Sequence, residues 1–170
     1  EIDPAEQFFD DDPDAEKDIA RLDELADQVE QITPEQFSKY QKLLSVVRDK
    51  NHGYGWTGKD KEDRLVIFTE RIETLHFLHE YLKRDLNLKD KQVEILHGSM
   101  PDVDQQRIVE DFGKEEAPIR LLIASDVASE GINLHYLSHR LIHFDIPWSL
   151  MVFQQRNGRI DRYGQEHTPY

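Results

Sequence analysis

The spacing of apolar residues changes character along the chain. From Asp14 onward, Ile19, Leu22, Leu25, Ala26, Val29 and Ile32 recur at three- and four-residue steps, the period of one helix face. Thr33-Pro34-Glu35-Gln36 then reads as a second helix start. Thr33 can cap, Pro34 suits the first turn and Gln36 completes a capping box. Phe37, Tyr40, Leu43, Leu44 and Val47 line one face of that helix, which is expected to end near Asn51. Beyond residue 63 the pattern becomes short apolar strands alternating with helices. The strands are Leu65–Phe68, Val93–Leu96, Leu121–Ala124 and Leu141–Phe144, with the near-continuous apolar character of strands covered on both faces. Between them lie a helix with Ile72, Leu75, Leu78 and Leu82 inward and Thr69 as its cap, and a helix opened by Pro101 and Asp102 that carries Val103, Ile108, Val109 and Phe112. Leu150 to Arg162 reads as a closing helix. The alternation predicts an α/β fold with a parallel sheet. Ligands of such sheets sit at the carboxyl ends of the strands, which here carry Thr69, His97-Gly98-Ser99, Ser125-Asp126 and Asp145.

Three segments follow: an acidic lead-in and helical connector over 1–51, a glycine-rich linker over 52–63, and an α/β lobe over 64–170. Glu1 to Pro13 holds Asp10-Asp11-Asp12 and two prolines and is expected to be poorly ordered. Because the chain opens on glutamate, it is expected to be a fragment or a processed chain. The linker, with Gly53 and Gly58-Lys59-Asp60, nearly spells the phosphate loop G-x-x-x-x-G-K-[ST]. Asp60 lacks the hydroxyl that would reach magnesium, and the loop joins a helix to a strand where that motif needs strand, loop, helix. A flexible linker is the expected reading.

Net charge is −14 over 170 residues, which by itself argues against nucleic acid. Residues 1–36 hold 14 acidic and two basic side chains, and residues 37–170 hold 21 and 19. The acidity therefore belongs to the lead-in, and a basic face on the remainder stays open. No cysteine is present, which excludes a disulfide framework and a cysteine nucleophile and fits a cytosolic location. No apolar run is long enough to span a bilayer. His76 and His79 share a helix without an acidic residue suited to zinc hydrolysis, and His135, His139 and His143 spread over a loop and a strand. All are expected to be structural, with no metal ligand in the chain.

Two stretches carry candidate chemistry. Arg156, Arg159 and Arg162 stand three residues apart, so a helix would set them on roughly one face. Forked, permanently charged guanidinium groups in a row suit capture of phosphate oxygens. The second stretch is Ala124-Ser125-Asp126-Val127-Ala128-Ser129-Glu130-Gly131-Ile132-Asn133-Leu134, a buried strand running into a small, hydroxyl-rich, acidic loop. Read alone, that loop is as well explained by an ordinary strand-to-helix turn with Ser and Asp caps.

Together these stretches resemble the C-terminal RecA-like lobe of a superfamily-two helicase or translocase. Ser125 to Leu134 resembles motif V, and Gln155, Gly158, Arg159 and Arg162 match the pattern of motif VI. Val66-Ile67-Phe68-Thr69 resembles motif IV, and Leu96-His97-Gly98-Ser99-Met100 the segment between. The resemblance covers about residues 62–170, in the right order. Gly131-Ile132-Asn133-Leu134 and Arg162-Tyr163-Gly164-Gln165 point to the Swi/Snf branch, most similar to the bacterial RNA-polymerase-associated Swi/Snf ATPases. Asp145-Ile146-Pro147-Trp148-Ser149-Leu150 keeps the Asp and Trp of the eukaryotic remodellers' Asp-x-x-Trp-Asn-Pro but not the Asn-Pro.

The resemblance implies a set of roles. Arg159 and Arg162 would be arginine fingers for ATP bound mainly on an N-terminal lobe that also holds magnesium. Gln155, Glu130 and Gly131 would line the nucleotide, and Thr69, Ser99 and Ser125 would donate to nucleic-acid phosphates. Arg156 is expected to make a structural salt bridge instead. The chain would then be half of a DNA translocase, inactive alone and acting on double-stranded DNA. It would be cytoplasmic and nucleoid-associated, with RNA polymerase or another DNA-bound protein as a further partner. Two other readings stand beside this one: a lobe of an RNA or single-stranded DNA helicase, and a non-enzymatic regulatory or protein-binding module.

Overall fold

The computed structural model describes residues 33–125, 138–147 and 149–158, together with Ile19 and Arg21. The chain divides into two units, Glu1–Lys42 and Leu43–Tyr170. In the first, Ile19 and Arg21 are helical, as their period predicts. The expected capping box is half made, with Gln36 Oε1 accepting from the Thr33 N–H at 3.2 Å. Pro34 to Gln36 form a turn, and helix α1 (Ser38–Arg48) begins just after it. Tyr40, Leu43, Leu44 and Val47 are buried as the pattern requires.

The second unit is built on a parallel sheet of four described strands: β1 (Arg64–Thr69), β2 (Val93–Leu96), β3 (Leu121–Ser125) and β4 (Ser138–His143). Their order is β2-β3-β1-β4, so β1 and β3, the two runs buried at every position, lie inside. Helices α2 (Ile72–Asp85), α3 (Asp102–Phe112) and α4 (Leu150–Asn157) alternate with the strands. Ile108 and Phe112 of α3 close over Val66, Phe68, Leu96, Leu122 and Leu141. Successive strand residues point to opposite faces, so Leu65, Ile67, Leu121 and Ile123 face the other way. Helix α2 lies across β1, β2 and β3, and its Leu75, Leu78 and Leu82 are fully buried. Truncating any one of these to alanine costs about 2–5 kcal/mol.

Two apolar positions expected to be inward are not. Ile72 is 38% exposed and Val103 80%. Both lie in the first turn of a helix, where the side chain leans toward the N-terminus and off the end of the sheet.

The glycine-rich loop is tied down where a flexible linker was expected. Asp49 Oδ1 accepts from the N–H groups of Asn51 and His52 at 2.7 and 3.1 Å. The N–H groups of Tyr54 and Trp56 return to the α1 carbonyls of Val46 and Val47 at 2.7 and 2.8 Å. A Cβ at Gly53 would stand 2.3 Å from the Val46 carbonyl oxygen, so this return needs glycine. Trp56 is 3% exposed, and its indole N–H donates to the Asp63 carbonyl at 2.8 Å. Arg140 of β4 lies over the Tyr54 ring and pairs with Asp63 at 2.7 Å.

At the amino end of β1, Arg64 has no exposed surface. Its guanidinium donates to the carbonyls of Asp111, Phe112, Lys114 and Ala117, and its Nε to that of Lys61. The last carbonyls of a helix lack intrahelical partners, and here one side chain collects them at the end of α3. Burial, with a smaller push from Arg120, lowers the Arg64 pKa to about 10, so the group stays charged at neutral pH.

Candidate functional site at the carboxyl edge of the sheet

The strand order brings the carboxyl ends of β1, β3 and β4 side by side. Thr69 stands opposite Ser125, and Phe68 opposite His143. The Phe144 N–H donates to the Phe68 carbonyl at 2.8 Å, carrying the ladder one residue beyond β4 and delivering Asp145 to the edge. There Asp145 Oδ2 accepts from the Thr69 hydroxyl at 2.6 Å and from the Glu70 N–H at 3.3 Å. Thr69 was expected to cap α2. Instead the helix starts at Ile72 and Arg71 occupies the cap position with no side-chain cap bond, two residues beyond Thr69, whose hydroxyl donates to the Asp145 carboxylate, a stronger acceptor than neutral groups.

The backbone of Asp145 is held from the other side. Arg156 is completely buried, and its Nη1 donates to the Asp145 carbonyl at 2.7 Å. The same nitrogen lies 3.3 Å from His143 Nδ1, and the guanidinium sits 5.5 Å from the Phe68 ring centroid. Since arginine only donates, His143 Nδ1 must accept. Its proton is therefore on Nε2, which donates to Asn157 Oδ1 at 2.9 Å. The imidazole lies between Phe153 at 4.6 Å and Phe68 at 6.3 Å. Phe153, Arg156 and Asn157 share one face of α4, and together they fasten the helix to the end of β4. A structural salt bridge was expected for Arg156; the partners the structure gives its Nη1 are a backbone carbonyl and an imidazole nitrogen.

The other expected site residues fall in different settings. Ser125 is 4% exposed at the end of β3. Ser99 is exposed in the turn after β2, where the Met100 N–H bonds the His97 carbonyl at 3.1 Å. Gln155 is exposed on α4. Glu130, Gly131, Arg159 and Arg162 lie outside the described residues, as do residues 1–18, and the closing helix, expected to reach Arg162, ends at Asn157 with Gly158 as its C-cap. His76 packs edge-on against His97 at 5.9 Å. Burial, followed by the charge of Lys83, lowers the pKa of His79. Among the described residues no three His, Asp or Glu side chains are grouped to hold a metal ion, and no helix is long and apolar enough to cross a membrane.

Sequence reasoning missed His143, Phe153 and Asn157 as a unit. The three- and four-residue steps from Phe153 to Arg156 and Asn157 were visible. Their target was not, because only the fold sets α4 against β4.

Comparison with known proteins agrees with this architecture. Residues 38–164 match the model of the helicase conserved C-terminal domain. The chain is 28% identical over 133 residues to the RNA polymerase-associated protein RapA of Vibrio campbellii, covering 75% of this chain and 12% of that protein. It is 32% identical over 128 residues to RapA of Stutzerimonas stutzeri, covering 64% and 13%. The chain thus spans about an eighth of the length of these relatives. Among solved structures, the C-terminal part of the Fun30 ATPase domain superposes with a TM-score of 0.58 at 26% identity, over 77% of this chain and 38% of that one. Domain 2 of the DEAD-box helicase Mss116p, bound to an RNA duplex, shares the fold with a TM-score of 0.54 at 23% identity, over 65% and 42%. With a parallel sheet of RecA-like helicase type and RapA proteins among its relatives, the chain belongs to the helicase conserved C-terminal domain family.

Proposed function

We propose that this chain is the C-terminal lobe of an ATP-dependent translocase that moves along double-stranded DNA. In this reading Arg159 and Arg162 reach the γ-phosphate of ATP held, with its magnesium, on an N-terminal lobe. They stabilise the charge that develops as the phosphoryl group leaves. The observation that carries the reading is the burial of Arg156 against Asp145 and His143. It spends the first arginine of the row on anchoring α4, which ends at Asn157, two residues before Arg159 in the sequence. Gln155, exposed on α4, with Glu130 and Gly131, completes the nucleotide side.

Ser99 is the exposed hydroxyl of the expected nucleic-acid contacts. Thr69 acts through Asp145, to which its proton is directed, and Ser125 lies beside it. Contacts of this kind hold the backbone and read no sequence. Residues upstream of the lobe serve as the connector from the first lobe. The names of the RapA relatives make RNA polymerase the first partner to test, in the cytoplasm on nucleoid DNA. The chain alone does not turn over ATP.

The decisive experiment is Arg162→Ala, and Arg159→Ala beside it, in the full-length protein. Duplex-stimulated ATP hydrolysis should fall by about 10³-fold or more, while ATP binding persists. Unchanged turnover after charge reversal at both positions would establish a scaffold instead. Stimulation by RNA or single-stranded DNA in preference to duplex would change the track but keep the lobe.

A further inference from the structure

At the opposite, amino end of the sheet an open cleft of about 470 Å³ is lined by Lys89, Asp90, Lys91, Gln92, Pro118 and Arg120. A site for a ligand, as distinct from a solvated basic surface, needs a fixed charge with unspent donors. Arg120 supplies it. The residue is only 7% exposed, and its two described side-chain hydrogen bonds, to the Ala117 and Ile119 carbonyls at 2.8 Å each, both leave from Nη1. That bracing holds the plane of the guanidinium, uses neither Nε nor Nη2, and sets the residue in the cleft wall.

The walls add donors and little compensating charge. Gln92 commits its Oε1 to the Lys89 N–H at 2.9 Å, which leaves its amide N–H₂ to donate. Lys89 and Lys91 flank it. Asp90 is the one acidic residue in the lining, and Lys83 engages its carboxylate at 2.9 Å. The Arg120 N–H donates to the Gln92 carbonyl at 2.9 Å, so the β2 and β3 walls are held in register. Arg120 also acts as a positive neighbour on Arg64, opposed in part by Glu115.

From this arrangement we infer a second binding site, separate from the carboxyl edge, for a small phosphate-bearing anion of diphosphate size. A planar fork suits paired oxygens on one phosphoryl group, and two mobile ammonium groups suit the next. The volume falls in the range of small-molecule pockets and exceeds what a single phosphate would fill.

The test is titration of inorganic pyrophosphate into the full 170-residue chain at low ionic strength, followed by calorimetry and by backbone amide shifts. Saturable one-to-one binding is expected, with shifts at residues 89–92 and 117–120. The surface double variant Lys89→Gln/Lys91→Gln should weaken binding by about tenfold or more. Arg120→Met should abolish it, with circular dichroism reporting whether that variant folds. Binding that does not saturate, or is equal in the double variant, would overturn the site. So would shifts confined to Thr69 and Ser99, which would place the anion at the carboxyl edge and leave the proposed ATPase role standing. Inorganic phosphate binding as tightly as pyrophosphate would also overturn the diphosphate assignment.

Discussion

Arg64 and Arg156 are the same residue type with the same absence of exposed surface, yet they hold different kinds of structure. Arg64 sits at the amino end of β1 and gathers carbonyls from the end of α3 and the loop after it. Its work is finished within the fold. Arg156 sits at the carboxyl edge and fixes one carbonyl and one imidazole, fastening a helix whose next residues are the candidate fingers. Burying a cation costs several kcal/mol unless its donors are met. At the amino end that cost secures a helix terminus, and at the carboxyl edge it secures the end of α4, just before the proposed fingers in the sequence.

Three substitutions would break or sharpen this contrast. The largest effect is expected for Arg64→Met, which leaves the α3 terminus and the following loop without their donors. Destabilisation of about 3–5 kcal/mol should appear in urea unfolding, while the folded fraction of the full-length protein keeps its turnover per molecule. A loss below about 1 kcal/mol would show that water replaces the side chain readily. Next comes Arg156→Met, expected to cost about 2–3 kcal/mol and, unlike Arg64→Met, to depress ATP turnover in the protein that remains folded. Equal activity in the two folded variants would erase the distinction. The smallest is Ser138→Ala. Its buried hydroxyl lies 3.0 Å from the Arg64 carbonyl and 3.3 Å from that of Arg140, so about 1 kcal/mol should be lost, with activity untouched.

The strands were legible because burial on both faces leaves an unbroken apolar run. Leu65–Phe68 and Leu121–Ala124 differ from the observed β1 and β3 by one residue at the ends. β4 begins three residues before the expected Leu141, because Ser138 and Arg140 take polar partners, the Arg64 carbonyl and the Asp63 carboxylate. A hydrophobic pattern cannot register a strand residue satisfied by distant polar groups. The glycine-rich loop misled for a related reason. Glycine marks backbone freedom in the sequence, but Gly53 is there to let the chain close back on α1. What holds that loop, Trp56 on Asp63 and Tyr54 under Arg140, depends on contacts across the fold.

Sequence alone determined the order of strands and helices, the parallel sheet, the row of arginines and the family they resemble. These follow from local period and from motifs that are contiguous in the chain. Tertiary structure decided which arginine of the row is anchored, that Thr69 serves Asp145 and leaves α2 uncapped, and that Arg64 and Arg120 shape the opposite end of the sheet. Each of those depends on partners from 1 to 76 positions away, and for the distant ones only the packing of strands and helices sets the distance. The arginine row shows the division within one motif: its spacing is written in the chain, while the burial that makes Arg156 a clamp comes from β4 and Phe68.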